Sequence, residues 1–402
     1  MAEMQLTQPL RRRTARKVKL LARRRKSPAA AQAPFRLLMV TPRYLPFPGG
    51  VQTHVYQLSR RFVQAGLEVT VLTSSPGGRL PEEEWIDGVR VRRVPAWPAN
   101  RDYYFAPQIV SFIRSQPWDL IHVQSYHSLV APLAMWAAWR SHTPYVVTFH
   151  GGGHSSRLRS GLRGMQQRLL RPMLARANRL IAIAEFEIPF FSQRLGLPVE
   201  QFSLIPNGGD LPAVAGEAQP VVEAGLIVSI GRLERYKGHQ RVIAAMPEIL
   251  ARRPDARLWI AGSGPYEDQL RRQAQELGVA DRVQIYAIPA ADREGMARAL
   301  AQAGLVVLLS EFETHPIAVL EALALGRPAL VADTSGLSEL AHKGLARAIP
   351  LHSSPGQVAQ AVIEQLDQPA QPGPLSLPTW EDCSAGLLSL YSEITGRRLC
   401  AS

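Results

Sequence analysis

The sequence has 402 residues, 46% of them hydrophobic, and a formal net charge of +13 at pH 7. This apolar content excludes a largely disordered chain, and the length predicts two or three domains. No apolar run is long enough to span a membrane, no apolar signal segment is present, and two cysteines give neither a disulfide framework nor a metal pattern, so we expect a protein of the reducing cytosol.

Most of the positive charge lies in an N-terminal arm, residues 1–34, where ten Lys and Arg stand against one acid for a charge of +9. Uncharged residues recur along it at helical spacing: Leu10, Thr14, Val18 and Leu21. Such a helix can lie on an anionic membrane, which would place the protein at the inner face of the cytoplasmic membrane. A disordered basic tail and a transit peptide are the alternatives. No aromatic-rich or helix-turn-helix pattern is present, so we expect no nucleic-acid partner.

From residue 35 onward, short apolar runs alternate with segments of helical periodicity. Candidate strands of a first series are 36–40, 68–73, 89–94, 120–123, 145–149, 180–183 and 203–205. Candidate strands of a second series are 226–230, 257–261, 283–286, 305–309 and 329–331. Strands that alternate with helices predict an α/β protein with parallel, doubly wound sheets.

Breaks in composition divide the chain into five parts. They are the arm and its linker (1–34), a first α/β domain (35–212), a Gly-, Pro- and Ala-rich linker (213–222), a second α/β domain (223–372) and a helical C-terminal segment (373–402) that begins with a Pro-rich break. No internal repeat is apparent.

Three positions in the first domain stand at or near predicted strand ends. Gly50 follows Gly49 after the first strand and precedes a predicted helix at 51–65, where paired glycines let a ligand approach the backbone closely. A flexible turn is the alternative. His150 ends a buried strand and precedes glycines, so its ring should point into the space above the sheet edge and can donate to a hydroxyl. His122 is expected to be a packed core residue.

An arginine-rich helical segment follows this part of the chain. Its seven arginines, with no acid among them, are Arg157, Arg159, Arg163, Arg168, Arg171, Arg176 and Arg179. A solvated basic helix is one interpretation. The lack of balancing acids favours another, an anion-binding rim for a phosphate-bearing acceptor or for lipid headgroups, with Arg157, Arg159 and Arg163 as the candidate contacts.

Two cations follow the first strand of the second domain. This strand ends at Gly231, and Arg232 and Lys237 lie in the loop after it. Cations at a strand end suit a diphosphate leaving group, because arginine can bind it bidentately and lysine as a point charge. Gly264 lies in a further glycine turn after the next strand.

The segment 310–326, SEFETHPIAVLEALALG, combines a strand end, a polar loop and a helix start. Thr314 is the predicted N-cap, and Gly326 ends the helix. A helix start of this kind favours a phosphate, whereas the carboxylates of Glu313 and Glu321 favour hydroxyl groups, so we expect a phosphorylated sugar or nucleoside. Either carboxylate alone could be a solvated charge. Glu321, however, falls within the apolar stripe of the helix and therefore needs a partner.

Together these segments resemble glycosyltransferase family 4, a large class of retaining, nucleotide-sugar-dependent enzymes with the GT-B architecture. The resemblance is carried by GGVQTHVYQLSRRFVQAGLEVTVLT, WDLIH, YVVTFHGG, IPNG, GRLERYKG, AGSGP and the E-x7-E segment from Glu313 to Glu321. It covers roughly residues 36–395 and leaves the arm outside. It implies two Rossmann-like domains that face each other across a cleft, and a last helix that crosses back to the first domain.

The resemblance also implies a role for each matched residue. The implied donor-binding residues are Gly50, Gly231, Arg232, Lys237, Gly264, Glu313, Ile317, Ala318 and Glu321. The implied catalytic residues are Glu313, His150, Arg232 and Lys237. In this scheme the two cations hold the diphosphate, Glu321 binds the ribose hydroxyls, and Glu313 and His150 hold the sugar.

The sequence departs from the family pattern in two segments, and both bear on which donor is used. Gly-Phe-Gly is common after the first glutamate, whereas this chain has Thr314, His315 and Pro316. Because Pro316 has no N–H, phosphate contacts there must come from Ile317 and Ala318. The glycine that is common after the third strand of the second domain is Ala287.

The implied activity is transfer of a sugar from a nucleoside-diphosphate sugar to an acceptor hydroxyl, with retention and with no cofactor or metal. The sequence has no D-x-D string, the usual metal–diphosphate anchor of the other major glycosyltransferase fold, and this agrees with a reaction that uses no metal. The implied partners are the donor, an acceptor glycan or lipid-linked sugar, and an anionic membrane surface through the arm. The rival hypotheses are a GT-B sugar-nucleotide epimerase, a phosphorylase, for which no pyridoxal-lysine motif is seen, and a non-catalytic sugar-nucleotide or membrane-anion-binding module.

Overall fold

The computed structural model describes residues 33–47, 49–78, 80–98, 105–126, 128–151, 157–209, 221–289, 292–370 and 378–399, apart from the side chains of 76 and 157–163. The predicted arm helix and most of the predicted linker lie outside the described residues. From Phe35 onward the chain forms a unit separate from Met1–Pro34.

The first domain is built on a sheet that has eight strands in the described part of the chain, in the order β3-β4-β2-β1-β5-β6-β7-β8. The strands are β1 Arg36–Thr41, β2 Glu68–Pro76, β3 Glu83–Ile86, β4 Val89–Ala96, β5 Leu120–Gln124, β6 Tyr145–Thr148, β7 Arg179–Ala182 and β8 Phe202–Leu204. The helices are α1 Gly50–Gln64, α2 Gln108–Arg114, α3 Val130–Arg140, α4 Arg157–Leu174 and α5 Glu187–Leu195. All neighbouring strands pair in parallel except β3 and β4, which pair antiparallel.

The second domain has a fully parallel sheet of six described strands, in the order β11-β10-β9-β12-β13-β14. The strands are β9 Glu223–Ile230, β10 Arg257–Ala261, β11 Val283–Tyr286, β12 Ala303–Leu308, β13 Ala329–Ala332 and β14 Arg347–Ile349. The helices are α6 His239–Arg252, α7 Glu267–Glu276, α8 Arg293–Ala301, α9 Ile317–Ala324, α10 Ser335–His342, α11 Pro355–Asp367 and α12 Trp380–Thr395.

The central strands form because their sequences are apolar on both faces. Strand β5 (LIHVQ) is buried along its whole length, and β12 (AGLVVL) is buried at all but one position. Such runs suit parallel sheets that are covered by helices on both sides. The apolar side chains of each sheet accordingly divide into two buried clusters, one on each face.

Helix α12 packs on the first domain although it follows the second in sequence. Trp380 and Tyr391 of this helix belong to the same buried cluster as Phe62 of α1. The hydroxyl of Tyr391 lies 2.6 Å from Nδ1 of His122 in β5. Gly209 N–H donates to the carbonyl of Pro378 (3.0 Å), so the end of the first domain lies beside the start of α12.

The predicted fold class is confirmed, and each of the twelve predicted strands is present with its ends shifted by at most a few residues. Two strands were missed. Strand β3 (EEWI) alternates exposed and half-buried residues at the sheet edge, and β14 (RAI) has three residues, so neither forms an apolar run. No helix in the described part of the chain is long and apolar enough to cross a membrane.

Candidate active site

The carboxyl ends of the parallel strands bring the predicted residues of the second domain together. Lys237 lies in the loop after β9, and Glu313 lies in the loop after β12, which is the neighbouring strand in the sheet. Lys237 Nζ lies 2.6 Å from Glu313 Oε1, and both side chains are largely buried. Ser310 Oγ donates to the same carboxylate oxygen at 2.7 Å. The sequence predicted both residues at the site, but it did not predict that their side chains are in contact.

The pair is held by local backbone structure on each side. Gly238, which follows Lys237, has φ 81°, and a Cβ there would lie 2.0 Å from the carbonyl oxygen of Leu309. Only glycine therefore lets the two loops approach. The N–H of Glu313 donates to Ser335 Oγ at 2.8 Å. Burial alone would lower the pKa of Lys237, but the carboxylate of Glu313 and other neighbouring groups raise it overall, so the lysine stays charged.

Arg232 does not join this cluster. Its side chain is 74% exposed and lies 3.2 Å from the carboxylate of Glu234, within its own loop. The structure therefore places Arg232 at the rim of the site rather than beside Lys237.

The three glycines predicted for the donor site differ in how closely their surroundings would approach an added Cβ. Gly50 begins α1, and a Cβ there would meet nothing within 4 Å, so close packing does not require glycine at this position. A Cβ on Gly231 would lie 3.5 Å from Lys237 Cδ, an ordinary contact distance beside the site. A Cβ on Gly264 would lie 2.6 Å from the carbonyl oxygen of Leu233. Glycine is therefore required at position 264 because two loops pack together there, whatever ligand binds nearby.

The start of α9 differs from the prediction. Pro316 is the N-cap residue, and Thr314 does not cap the helix. The hydroxyl of Thr314 instead donates to the carbonyl of Gly151 in the first domain. The N–H of Ile317 donates to the carbonyl of His315 at 2.9 Å, so it is engaged within the turn. Ala318 provides the next N–H at the helix start.

Glu321 is buried in α9, as its place in the apolar stripe predicted. Its partner is Arg293 at the start of α8, whose guanidinium contacts the carboxylate. Arg293 was not predicted from the sequence. The requirement that a buried acid have a partner was a usable signal, but nothing in the spacing selects this arginine from the others.

His150 lies in a buried group of polar rings in the first domain. Its Nε2 is 2.7 Å from Gln124 Oε1, and its ring meets the ring of His54 edge-on at 4.8 Å. Burial lowers the pKa of His54 to about 3, so this ring is neutral. His122 is packed, as predicted, with Nε2 2.6 Å from Thr148 Oγ1. The contacts of Gln124 and His54 with His150 were missed, because they join three different elements.

The two domains touch directly beside the candidate site. A Cβ on Gly151 would lie 2.7 Å from Thr314 Oγ1 and 2.9 Å from Glu187 Oε1, so glycine permits this approach. The rings of Phe186 and Phe312 meet edge-on at 5.8 Å, and Lys343 Nζ lies 2.8 Å from Glu185 Oε1. The backbone of residues 150–151 thus lies near the loop that carries Glu313.

Two further predictions concern the surroundings of the site. Arg157, Arg159 and Arg163 lie on the first turns of α4, and their side chains are outside the described residues. Among the residues described, no group of three or more His, Cys, Asp or Glu side chains could hold a metal ion.

Two doubly wound α/β domains, which meet where the strand ends carry a buried cation–carboxylate pair, define a GT-B protein. Residues 48–212 match the family described as Glycosyltransferase Family 4, and residues 217–374 match Glycosyl transferases group 1. The chain therefore belongs to glycosyltransferase family 4 and is a glycosyltransferase, which confirms the resemblance seen in its motifs.

Similarity to individual proteins extends over most of the chain. It is 27% identical to a D-inositol 3-phosphate glycosyltransferase of Nocardiopsis dassonvillei, over 87% of this chain and 91% of the relative. It is 28% identical to a phosphatidyl-myo-inositol mannosyltransferase of Mycolicibacterium smegmatis, over 90% of this chain and 94% of the relative. A sucrose-phosphate synthase of Thermosynechococcus elongatus superimposes with a TM-score of 0.73 at 21% identity, covering 90% of this chain and 99% of that one. The last comparison shows the shared fold.

Proposed function

We propose that this protein transfers a sugar from a nucleoside-diphosphate sugar to an acceptor hydroxyl, with retention of configuration at the sugar. The observation that carries the proposal is the contact of Lys237 with Glu313 at the ends of two adjacent parallel strands. A charged lysine and a hydroxyl-binding carboxylate within one site suit a ligand that has both a diphosphate and a sugar.

The donor would lie with its diphosphate at Lys237 and at the N–H of Ala318. Arg232, exposed at the rim, can turn toward the same phosphates. Glu321 would bind the ribose hydroxyls in place of the guanidinium of Arg293. Glu313 would accept hydrogen bonds from the transferred sugar, and the Nε2–H of His150 would donate one from the first domain in place of its present contact with Gln124.

In the proposed reaction, the bond between the anomeric carbon and the diphosphate oxygen breaks, and its electron pair leaves with the phosphate. The acceptor oxygen attacks the same face of the sugar, and its proton passes to the departing phosphate oxygen. Lys237 stabilises the negative charge that develops there, with Arg232 beside it. The protein itself supplies the positive charge, so we propose that no bound metal or cofactor is needed.

The relatives suggest what kind of acceptor to expect. One is named for an inositol phosphate and another for phosphatidyl-myo-inositol. On this basis we propose a lipid-linked, glycolipid or polysaccharide acceptor, and a position in the cytoplasm at the inner face of the membrane. The basic arm, with its +9 charge, suits contact with that surface.

The donor proposal is tested by isothermal titration of the full chain against UDP-, GDP- and ADP-sugars, with Lys237→Ala as the control. We expect selective binding of one donor, which is lost in the variant, followed by slow donor hydrolysis that a metal chelator does not abolish. Binding without hydrolysis, with or without candidate acceptors, would point to a non-catalytic sugar-nucleotide module. Loss of turnover with the chelator would contradict metal independence.

A further inference from the structure

Helices α3 and α4 pack side by side in the first domain and share an outer surface, which we call the α3–α4 face. Its residues are Trp136, Trp139 and Arg140 on α3, Met165, Arg168 and Leu169 on α4, and Arg176 in the turn after α4. On α4 the exposed residues Met165, Arg168, Leu169 and Pro172 recur at spacings of three and four, while Leu170 and Leu174 are buried. The exposed residues of α4 therefore form one stripe along the helix.

The apolar content of the α3–α4 face is high for a surface that contacts only water. Leu169 is 70% exposed, Met165 is 58% exposed and Trp139 is 47% exposed. A single exposed apolar residue is ordinary, whereas several on adjoining helices indicate a contact surface. The face therefore suits a partner that accepts apolar side chains.

The charge of this region has one sign. Between Asp119 and Glu185 the sequence contains eight arginines and no acidic residue. The two bounding acids are already paired, Asp119 with Arg397 at 3.0 Å and Glu185 with Lys343 at 2.8 Å. Arg179 is paired with Glu393 and is therefore not part of the face. The face consequently suits a partner that is anionic as well as apolar.

Tryptophan and arginine are in direct contact on the face. The guanidinium of Arg176 lies 5.3 Å from the ring centroid of Trp139. Tryptophan prefers the depth of lipid headgroups, where one part of its ring is apolar and another is wet, and arginine beside it can bind lipid phosphates. A nucleic acid or a soluble anionic glycan would use the arginines but would not bury Leu169 and Met165.

We propose that the α3–α4 face binds the anionic surface of a phospholipid bilayer, with Trp136, Trp139 and Leu169 entering the interface and Arg140 and Arg168 contacting phosphates. The inference rests on the surface alone and is independent of the donor and of the arm.

The test is co-sedimentation of the full chain with vesicles of phosphatidylcholine alone or with about one third phosphatidylglycerol. Six arm arginines (Arg11, Arg12, Arg13, Arg23, Arg24 and Arg25) are replaced by Gln in every protein, so that binding reports the face. Against this background, Arg140→Gln with Arg168→Gln removes charge, and Trp139→Ser with Leu169→Ser removes apolar contact. The matched controls are Arg272→Gln on α7 and Trp85→Ser on β3, both exposed and distant in sequence.

We expect binding to the anionic vesicles only, weakened about fivefold for each neutralised arginine and about tenfold by the apolar pair, with the controls unchanged. Melting temperatures and donor titration show that the variants are folded. Equal binding by all proteins would overturn the proposal. So would concentration-dependent dimers that disappear in the same variants, or binding to DNA that exceeds binding to vesicles.

Discussion

Lys237 Nζ and Glu313 Oε1 lie 2.6 Å apart, although 76 residues separate them in sequence. The contact joins the loops after β9 and β12, two neighbouring strands, and both side chains are largely buried. A buried ion pair contributes little over an apolar pair, but the loss of one partner leaves an uncompensated charge. The pair therefore couples the stability of the second domain to its proposed donor site.

Lys237→Met is expected to lower the free energy of unfolding by about 3 kcal/mol and to reduce turnover about a hundredfold or more. Denaturant unfolding and steady-state kinetics measure the two effects. Lys237→Arg keeps the charge and should retain most of the stability. Addition of Glu313→Gln to Lys237→Met should restore stability but not turnover, and a double variant as unstable as Lys237→Met would contradict the account.

Arg293 covers the carboxylate of Glu321 in this structure, and we propose that ribose hydroxyls take its place. Glu321→Ala is therefore expected to weaken nucleotide binding about tenfold or more, because a charge-assisted hydrogen bond is lost. Arg293→Gln should bind nucleotide at least as tightly as the wild type, because it removes a competitor for the same oxygens. Calorimetric titration with the nucleoside diphosphate compares the affinities of the two variants and the wild type. Equal weakening in both variants would identify Arg293 as a nucleotide ligand itself.

The contact of Gly151 with Thr314 joins the two domains beside the site. Gly151→Ala places a methyl group 2.7 Å from Thr314 Oγ1 and 2.9 Å from Glu187 Oε1, so the side chains or loops at this contact must shift. We expect kcat/KM to fall at least about tenfold, because small misplacements of reacting groups are costly, while nucleotide binding to the second domain is unchanged. Thr314→Val loses only the hydrogen bond and should have a smaller effect. Normal turnover by Gly151→Ala would show that this approach is not required for activity.

The sequence predicted the parts of the fold that depend on local patterns. Buried runs such as LVVLL at 305–309 suit interior strands, and their alternation with helices indicates the α/β class. Lys237 and Glu313 were found for the same reason, because each follows such a strand within a recognisable string. Strand β3 escaped because an edge strand needs no apolar run.

The missed contacts are those that join distant segments. His54 lies against His150, and Arg293 reaches Glu321, yet each pair comes from different elements whose relative positions depend on the whole sheet. Thr314 shows directly how local propensity competes with tertiary contacts. Its residue type and position favour an N-cap, but the carbonyl of Gly151 in the other domain takes its hydroxyl instead. Local propensity was outweighed by tertiary contact.

Glu187 is fully buried where the two domains meet, and this predicts an unusual pH dependence of stability. Burial raises the pKa of Glu187 from 4.5 to about 8, although the N–H groups of Ile183, Gly151 and Ala184 oppose the shift. Between these two pH values the folded protein holds a proton that the unfolded chain has released. The contribution of Glu187 to the free energy of unfolding therefore falls as the pH rises, by up to ~1.4 kcal/mol per pH unit.

Glu187→Gln cannot ionise, so it should be increasingly more stable than the wild type as the pH rises from 5 to about 8. Urea unfolding of both proteins at one-unit pH intervals measures this difference. Buried histidines also titrate, but they are common to both proteins and cancel in the comparison. Glu185→Gln is the control, because Glu185 is exposed and paired with Lys343, and its effect should not grow with pH. A constant difference between Glu187→Gln and the wild type would mean that Glu187 is already ionised throughout this range.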